Sequence, residues 1–360
     1  MAIIVALALV VVVAAPFATA LVTVADGLGF DPPRPFAAEV DRERALLGDI
    51  EVDRYVPART PRAGRVASSP TPAASRAADR PAVLLLPGAT PAGRDDRRVV
   101  EIATAFARTD RLVIVPELEV YDEDLRPEDV QRIVTVSDAL AADHGRVVLA
   151  GLSFGGSLAL LAAARPALED RVALVATFGA YVDLAGVVQA ATTGRSLVDG
   201  ESYPWDPDPR AGEVVREQTL ALLSTPDRNR VTAALEGDTD PDHLDVEQRA
   251  VHDLLTDTDP ARTLDHLAAG PEVLRERIAE VSPARQAPQL DVPVIALHAR
   301  DDPVIPHAEL RRLEATYPHA RTLELVTFDH VGLGDDQGWW VTVRDLWQTA
   351  RFARSILSAR

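Results

Sequence analysis

Hydrophobic positions fall into three regimes along the chain. The first is a single run, Ala2 to Val24, that carries no charge over 23 residues. A helix needs roughly 20 apolar residues to cross a bilayer core, whereas the apolar part of a signal peptide is usually ~7–15 long. The run therefore predicts an N-terminal hydrophobic helix anchoring the chain in a membrane, with the following domain extracytoplasmic. Ala18-Thr19-Ala20 has the small-x-small form of a signal-peptidase site, so cleavage after Ala20 and secretion is the alternative.

The second regime is a series of short continuous apolar runs alternating with helical spacing. Glu51 to Val56 alternates polar and apolar residues like a strand with one buried face. Ala82 to Leu86, Leu112 to Pro116, Val147 to Ala150 and Val172 to Thr177 are continuous runs that suit strands buried on both faces of a parallel sheet. Between them Val99 to Ala107 and Pro127 to Ala142 carry helical spacing, the second with Pro127, Glu128 and Asp129 in its first turn. Strand runs return at Val292 to His298 and Thr322 to Phe328, and Trp339 to Leu357 closes the chain as an amphipathic helix. This order predicts a doubly wound, mostly parallel α/β sheet.

The third regime lies between these two blocks of strands. From Tyr181 to about Leu290 helical segments rich in Asp and Pro replace the buried-strand runs, as an inserted helical cap would. The expected organisation is an anchor or signal segment over 1–25 and a spacer over 26–50. A core follows over 51–180, then the cap over 181–290 and the rest of the core over 291–360. Within the first part, Arg59 to Arg80 reads as a surface loop, with a short strand near Arg65-Val66.

Charge narrows the partners. With 37 basic and 55 acidic residues the net charge is −18, which repels nucleic-acid phosphates. Tyr181 to Val292 holds 22 acidic and 10 basic residues and so carries −12 of it. Strongly anionic substrates are therefore disfavoured, and a small ester or amide is expected. The chain has no Cys and no Lys, which removes cysteine nucleophiles, thiolate metal sites and Schiff-base chemistry. Asp238-Thr239-Asp240-Pro241-Asp242-His243 has the spacing of a calcium loop, but His243 replaces its Gly and Arg249 its closing Glu. No cofactor and no metal is expected.

Candidate chemistry centres on Gly151-Leu152-Ser153-Phe154-Gly155, placed where a strand run meets a small-residue helical pattern. A Gly-x-Ser-x-Gly sequence lets the serine stand on a strained strand-to-helix turn, with Gly151 and Gly155 clear of the chain folding back on itself. A serine hydroxyl needs a base, and the base an orienting acid. Two loops at strand ends offer them: His298-Ala299-Arg300-Asp301-Asp302-Pro303-Val304-Ile305-Pro306, then Phe328-Asp329-His330-Val331-Gly332. The remaining histidines, His144, His243, His252, His266 and His319, sit in polar or helical contexts, and His298 and His307 flank the first of these loops.

In this order the motifs resemble the α/β-hydrolase family over roughly Val83 to Leu357. With Gly156 the elbow is similar to esterases and peptidases of the dienelactone-hydrolase and prolyl-oligopeptidase kind. The family's acid loop often reads Gly-x-x-Asp-x-x-Val-Pro; aligning on Ile305-Pro306 places the acid at Asp302, with Asp301 the fallback and Ala299 where the family often has Gly. His330 matches the family histidine. Where the family's oxyanion loop usually reads His-Gly-x, this chain has Pro87-Gly88-Ala89. The donors implied are the N–H groups of Ala89 and Phe154. The resemblance implies a serine hydrolase acting on a carboxylic ester. Amide or peptide hydrolysis and a catalytically silent, membrane-tethered binding protein are the alternatives. Substrate selectivity is expected to reside in the cap.

Overall fold

Side chains alternate faces along a strand, so a run that is apolar throughout must be covered on both sides. In strand β3 (Ala82–Leu86), introduced below with its neighbours, Val83 and Leu85 enter one buried cluster while Ala82, Leu84 and Leu86 enter another. The structure is a computed structural model that describes residues 18–29, 38–58, 80–122, 125–326 and 339–360.

The described chain starts with helix α1 (residues 18–27) and a hairpin of β1 (Val40–Leu47) and β2 (Ile50–Pro57). After β3 come α2 (Arg97–Ala107), β4 (Val113–Pro116), α3 (Pro127–His144), β5 (Val147–Leu152), α4 (Phe154–Ala163) and β6 (Val172–Phe178). The insertion follows: α5 (Leu184–Thr193), a hairpin of β7 (Arg195–Val198) and β8 (Glu201–Pro204), α6 (Pro209–Ala221), α7 (Thr225–Leu235), α8 (Val246–Thr256), α9 (Thr263–Ala269), α10 (Glu272–Glu280) and α11 (Pro283–Gln286). The core resumes with β9 (Val294–Ala299), α12 (Ala308–Thr316), β10 (Arg321–Leu325) and α13 (Trp339–Ser358).

Eight strands form one sheet in the order β1-β2-β4-β3-β5-β6-β9-β10, antiparallel at the β1/β2 and β2/β4 pairs and parallel elsewhere. One face packs on α3, α4 and α12 through Ile133, Leu158, Leu161 and Leu310. The other packs on α2 and α13 through Val99, Phe106, Ala353 and Ile356. This is the doubly wound α/β architecture expected, with every strand run of the core found in place. Two features depart from expectation: the β7–β8 hairpin lies within the segment expected to be helical, and β1 falls inside the segment assigned as a spacer. Its sequence, Val40 to Leu47, is exposed at four successive residues and carries Asp41, Arg42, Glu43 and Arg44. An edge strand needs no apolar face, and charge on it blocks edge-to-edge pairing.

The expected N-terminal hydrophobic helix lies mostly outside the described residues. Its last part is described, and residues 18–24 belong to α1, which continues to residue 27 and packs against α2. Ala20, Thr23 and Asp26 are its buried positions, three apart on one face. The Asp26 carboxylate pairs with the Arg108 guanidinium, and Arg108 Nε donates to the Ala38 carbonyl at 3.2 Å. Among the described residues no helix is long and apolar enough to cross a membrane. The loop over 59–79, including the strand expected near Arg65-Val66, also lies outside the described residues.

The insertion has a core of its own, built from Val188, Val231, Val251, Leu254, Leu267 and Leu274 among others. A buried carboxylate fastens it to the sheet. Glu309 of α12 accepts the N–H groups of Val182 and Asp183 at 2.8 and 2.9 Å, where β6 leads into α5, and pairs with Arg312. Burial pushes the Glu309 carboxyl above the ordinary carboxylate range, against the pull of Arg312 and the two amides.

Candidate active site

Ser153 leaves β5 at φ 52° and ψ −130°, and α4 begins at the next residue. A non-glycine residue there costs about 1–3 kcal/mol and persists only where its surroundings hold it. The Ser153 N–H donates to Phe178 O at 2.7 Å, and the Gly156 N–H donates to Ser153 O at 2.9 Å. Crowding explains the flanking glycines. A Cβ on Gly155 would collide with the carbonyl oxygens of Leu86 and Pro87, and one on Gly151 with the backbone of Gly156.

The Pro87-Gly88-Ala89 loop lies directly against the serine. A Cβ on Gly88 would stand 2.7 Å from Ser153 Cβ and 3.1 Å from its Oγ. Only glycine permits that approach. The loop is tied back by the Thr90 N–H to Tyr121 O at 3.2 Å and by Thr90 Oγ1 to Asp96 Oδ2 at 2.7 Å. Burial pushes the Asp96 carboxyl up, but hydrogen bonds from Thr90 and Arg98 outweigh it and its pKa lies below the usual value. Phe154 is the first residue of α4, so its N–H has no acceptor within the helix and sits at the positive end of the helix dipole. Its ring meets Tyr181 edge-on at 5.7 Å.

The acid loop separates its two aspartates. Asp301 is exposed, whereas Asp302 is 1% exposed. Asp302 Oδ1 accepts the N–H groups of Val304 and Ile305 at 2.9 and 3.0 Å, which fixes the carboxylate in one orientation. His298, read from sequence as a flanking residue, is also buried. Its Nε2 lies 3.1 Å from Ile305 O and 3.4 Å from Asp302 Oδ2. Trp205, from the insertion, donates its indole N–H to Asp302 O at 2.7 Å. Neither contact was visible in the sequence, because His298 and Trp205 meet the loop only through the tertiary fold. His330 lies outside the described residues.

A cavity of about 470 Å³ opens in front of Ser153 and touches Pro87, Gly88 and Ala89. Its apolar walls come from the ends of β5, β6 and β9 and from α1, α2 and α13. No residue between 181 and 290 lines it. The insertion packs beside the site instead, where Val187 is buried with Tyr181 and Ile305 and Leu184 and Phe154 lie against them. The part of the pocket that the sequence could have signalled is α1, where Asp26 and Gly27 interrupt the apolar run. Among the described residues no group of three His, Asp or Glu side chains could hold a metal ion.

A family model described as alpha/beta hydrolase fold matches residues 81–337. No curated protein matches the chain in sequence. Among solved structures, a puromycin-hydrolysing peptidase of Mycobacterium tuberculosis is 17% identical with a TM-score of 0.49, the match covering 91% of this chain and 41% of that one. The 2-hydroxy-6-oxo-6-phenylhexa-2,4-dienoate hydrolase of Rhodococcus sp. strain RHA1 is 17% identical with a TM-score of 0.43, covering 87% of this chain and 99% of the other. The protein DphMB1 is 17% identical with a TM-score of 0.47, covering 89% and 84%.

Proposed function

Since the chain belongs to the α/β hydrolase fold family, we propose that it is a serine hydrolase that cleaves a carboxylic ester through an acyl-enzyme. The observation that carries the proposal is Ser153 itself, held at positive φ at the edge of a cavity with Gly88 pressed against its Cβ. Strain maintained at one serine by crowded glycines has no packing benefit, and it presents the hydroxyl to whatever enters.

Ser153 Oγ attacks the ester carbonyl carbon while His330 takes its proton. The tetrahedral oxyanion is received by the N–H groups of Ala89 and Phe154. Collapse breaks the bond to the alkoxide, which leaves as the alcohol with the proton from His330. Water then attacks the acyl-enzyme by the same route, returning Ser153 and releasing the acid. Asp302 orients and stabilises the imidazolium. What supports Asp302 over Asp301 is burial and a carboxylate anchored by two amides.

Hydrolysis of p-nitrophenyl acetate tests the reading. The protein should turn it over, and His330→Ala should lose at least about 10⁴-fold in kcat with its circular dichroism unchanged. Near-normal turnover by His330→Ala would refute the triad. Activity on aminoacyl anilides in place of esters would move the reaction to amide hydrolysis on the same residues.

A further inference from the structure

We propose that the cavity at Ser153 binds an uncharged aliphatic chain of the ester substrate, and that α1 forms one of its walls. The inference rests on the serine-hydrolase reading and names the substrate class for that site. Leu152, Phe178 and Leu297 close the cavity from the sheet, and Ile102 and Phe106 of α2 face it together with Phe352 of α13. The remaining wall is Val24, Gly27 and Leu28. The charged groups of the lining are paired with one another, Arg97 with Glu101 and Arg98 with Asp96; the arginine side chains are 85% and 60% exposed and the carboxylates 26% and 15%. A charged ligand head would have to leave water for walls that are mostly apolar, whereas a methylene chain gains free energy by the same transfer.

Size sets the class. A cavity of about 470 Å³ has room for a chain of several methylenes. A medium-length chain fits that space, and an acetyl group leaves most of it unfilled.

The wall made by α1 is tied to the body of the protein by an ion pair. Asp26 pairs with Arg108 at the end of α2, while within α1 Thr23 Oγ1 donates to Thr19 O at 2.9 Å. Gly27 brings the helix close to α2, with room for a Cβ 3.7 Å from Ile102. Residues 23–28 are thus a fixed part of the site, and cleavage after Ala20 would cut within the helix that carries them.

The test uses the full chain and p-nitrophenyl esters from acetate to palmitate, with alkyl acetates as a second series. Values of kcat/KM should rise about fourfold per methylene in one series until the cavity is full. The series that rises identifies whether the acyl or the alcohol half is held. Val24→Asp should lower the octanoate-to-acetate ratio at least tenfold. Ala105→Leu, which fills the cavity from α2, should move the optimum to shorter chains and guards against a Val24→Asp protein that does not fold. Turnover without chain-length dependence in either series would overturn the inference and leave the hydrolase reading intact. If no ester is turned over, that reading fails, and the cavity is tested alone by calorimetry of the uncharged hexan-1-ol and decan-1-ol on Ser153→Ala. Tighter binding of decan-1-ol would support the inference, and equal or absent binding would overturn it.

Discussion

The insertion and α1 make opposite use of similar material. The insertion spans roughly a hundred residues and has its own apolar core, and it meets the site where Tyr181 and Val187 pack with Ile305 and Phe154, where Trp205 donates to the Asp302 carbonyl and where the Asp208 N–H donates to Pro303 O. The twelve described residues around α1 have no core of their own, and they form a wall of the cavity at Ser153. A segment that can bury its apolar side chains internally has no need of the sheet's rim. One that cannot is stable only against the body of the protein, and α1 does this beside the nucleophile. Length and prominence in a sequence are therefore poor guides to which insertion shapes a pocket.

The comparison assigns chemistry to the sheet's rim and only stability to the insertion, and it can be broken in several places. The largest expected effect is at Ser153. Ser153→Ala should lose about 10⁶-fold in kcat on any ester the protein hydrolyses, as removal of a nucleophile does where base and acid act only through it. Asp302→Asn should cost about 10⁴-fold in kcat with little change in KM, because the amide mis-sets the imidazole and leaves the binding cavity untouched. Asp301→Asn should leave both constants within about twofold, given its exposure. An equal loss at both positions would remove the basis for choosing between them.

A substitution in the insertion should act differently. Leu267 lies in the insertion's core, 6% exposed, and Leu267→Ala should cost about 2–4 kcal/mol of stability in urea unfolding. Its octanoate-to-acetate preference should stay within twofold of the parent. A tenfold change would place the insertion in the pocket and end the contrast.

The smallest effect is in pH. Burial holds the His307 imidazole below its ordinary value, against the opposing pull of Glu324, whose Oε2 lies 3.0 Å from Nε2 but out of line for a good hydrogen bond. The unfolded chain then takes up this proton at about pH 6.5 while the folded chain does not, so stability falls as pH drops through that value. In the insertion, a hydrogen bond from His266 holds Asp257 below its ordinary 3.8, and the stability it contributes is lost only as pH falls further, through that lowered value. Protection factors of amides around the acid loop, corrected for the intrinsic exchange rate at each pH, should fall between about pH 6.5 and 5, with those of the insertion unchanged until more acid conditions. His307→Gln should flatten the first of these transitions.

Much of the fold was legible because its strands are buried on both faces, and a continuous apolar run ended by Gly or Pro has few other uses. The strained turn at Ser153 was legible for a related reason: Gly151 and Gly155 are required by contacts with atoms close in sequence or in the adjacent strand. Burial could not be read in the same way. Asp301 and Asp302 are equivalent as letters, and only the fold makes one exposed and the other anchored by two amides. β1 escaped notice because a charged edge strand has no apolar period to detect, and the hairpin of β7 and β8 because four-residue strands lie below the length at which alternation is recognisable. The role of α1 was hidden by its context, since its first residues complete an apolar run long enough to suggest a bilayer.

The proposed chemistry depends on Ser153 being a nucleophile, and intact-mass spectrometry after exposure to a fluorophosphonate tests that most directly. The folded protein should gain one phosphonyl group, mapped by peptide digestion to Ser153, and Ser153→Ala should gain none. Folded protein that stays unlabelled, or a label that persists in Ser153→Ala, would contradict the account.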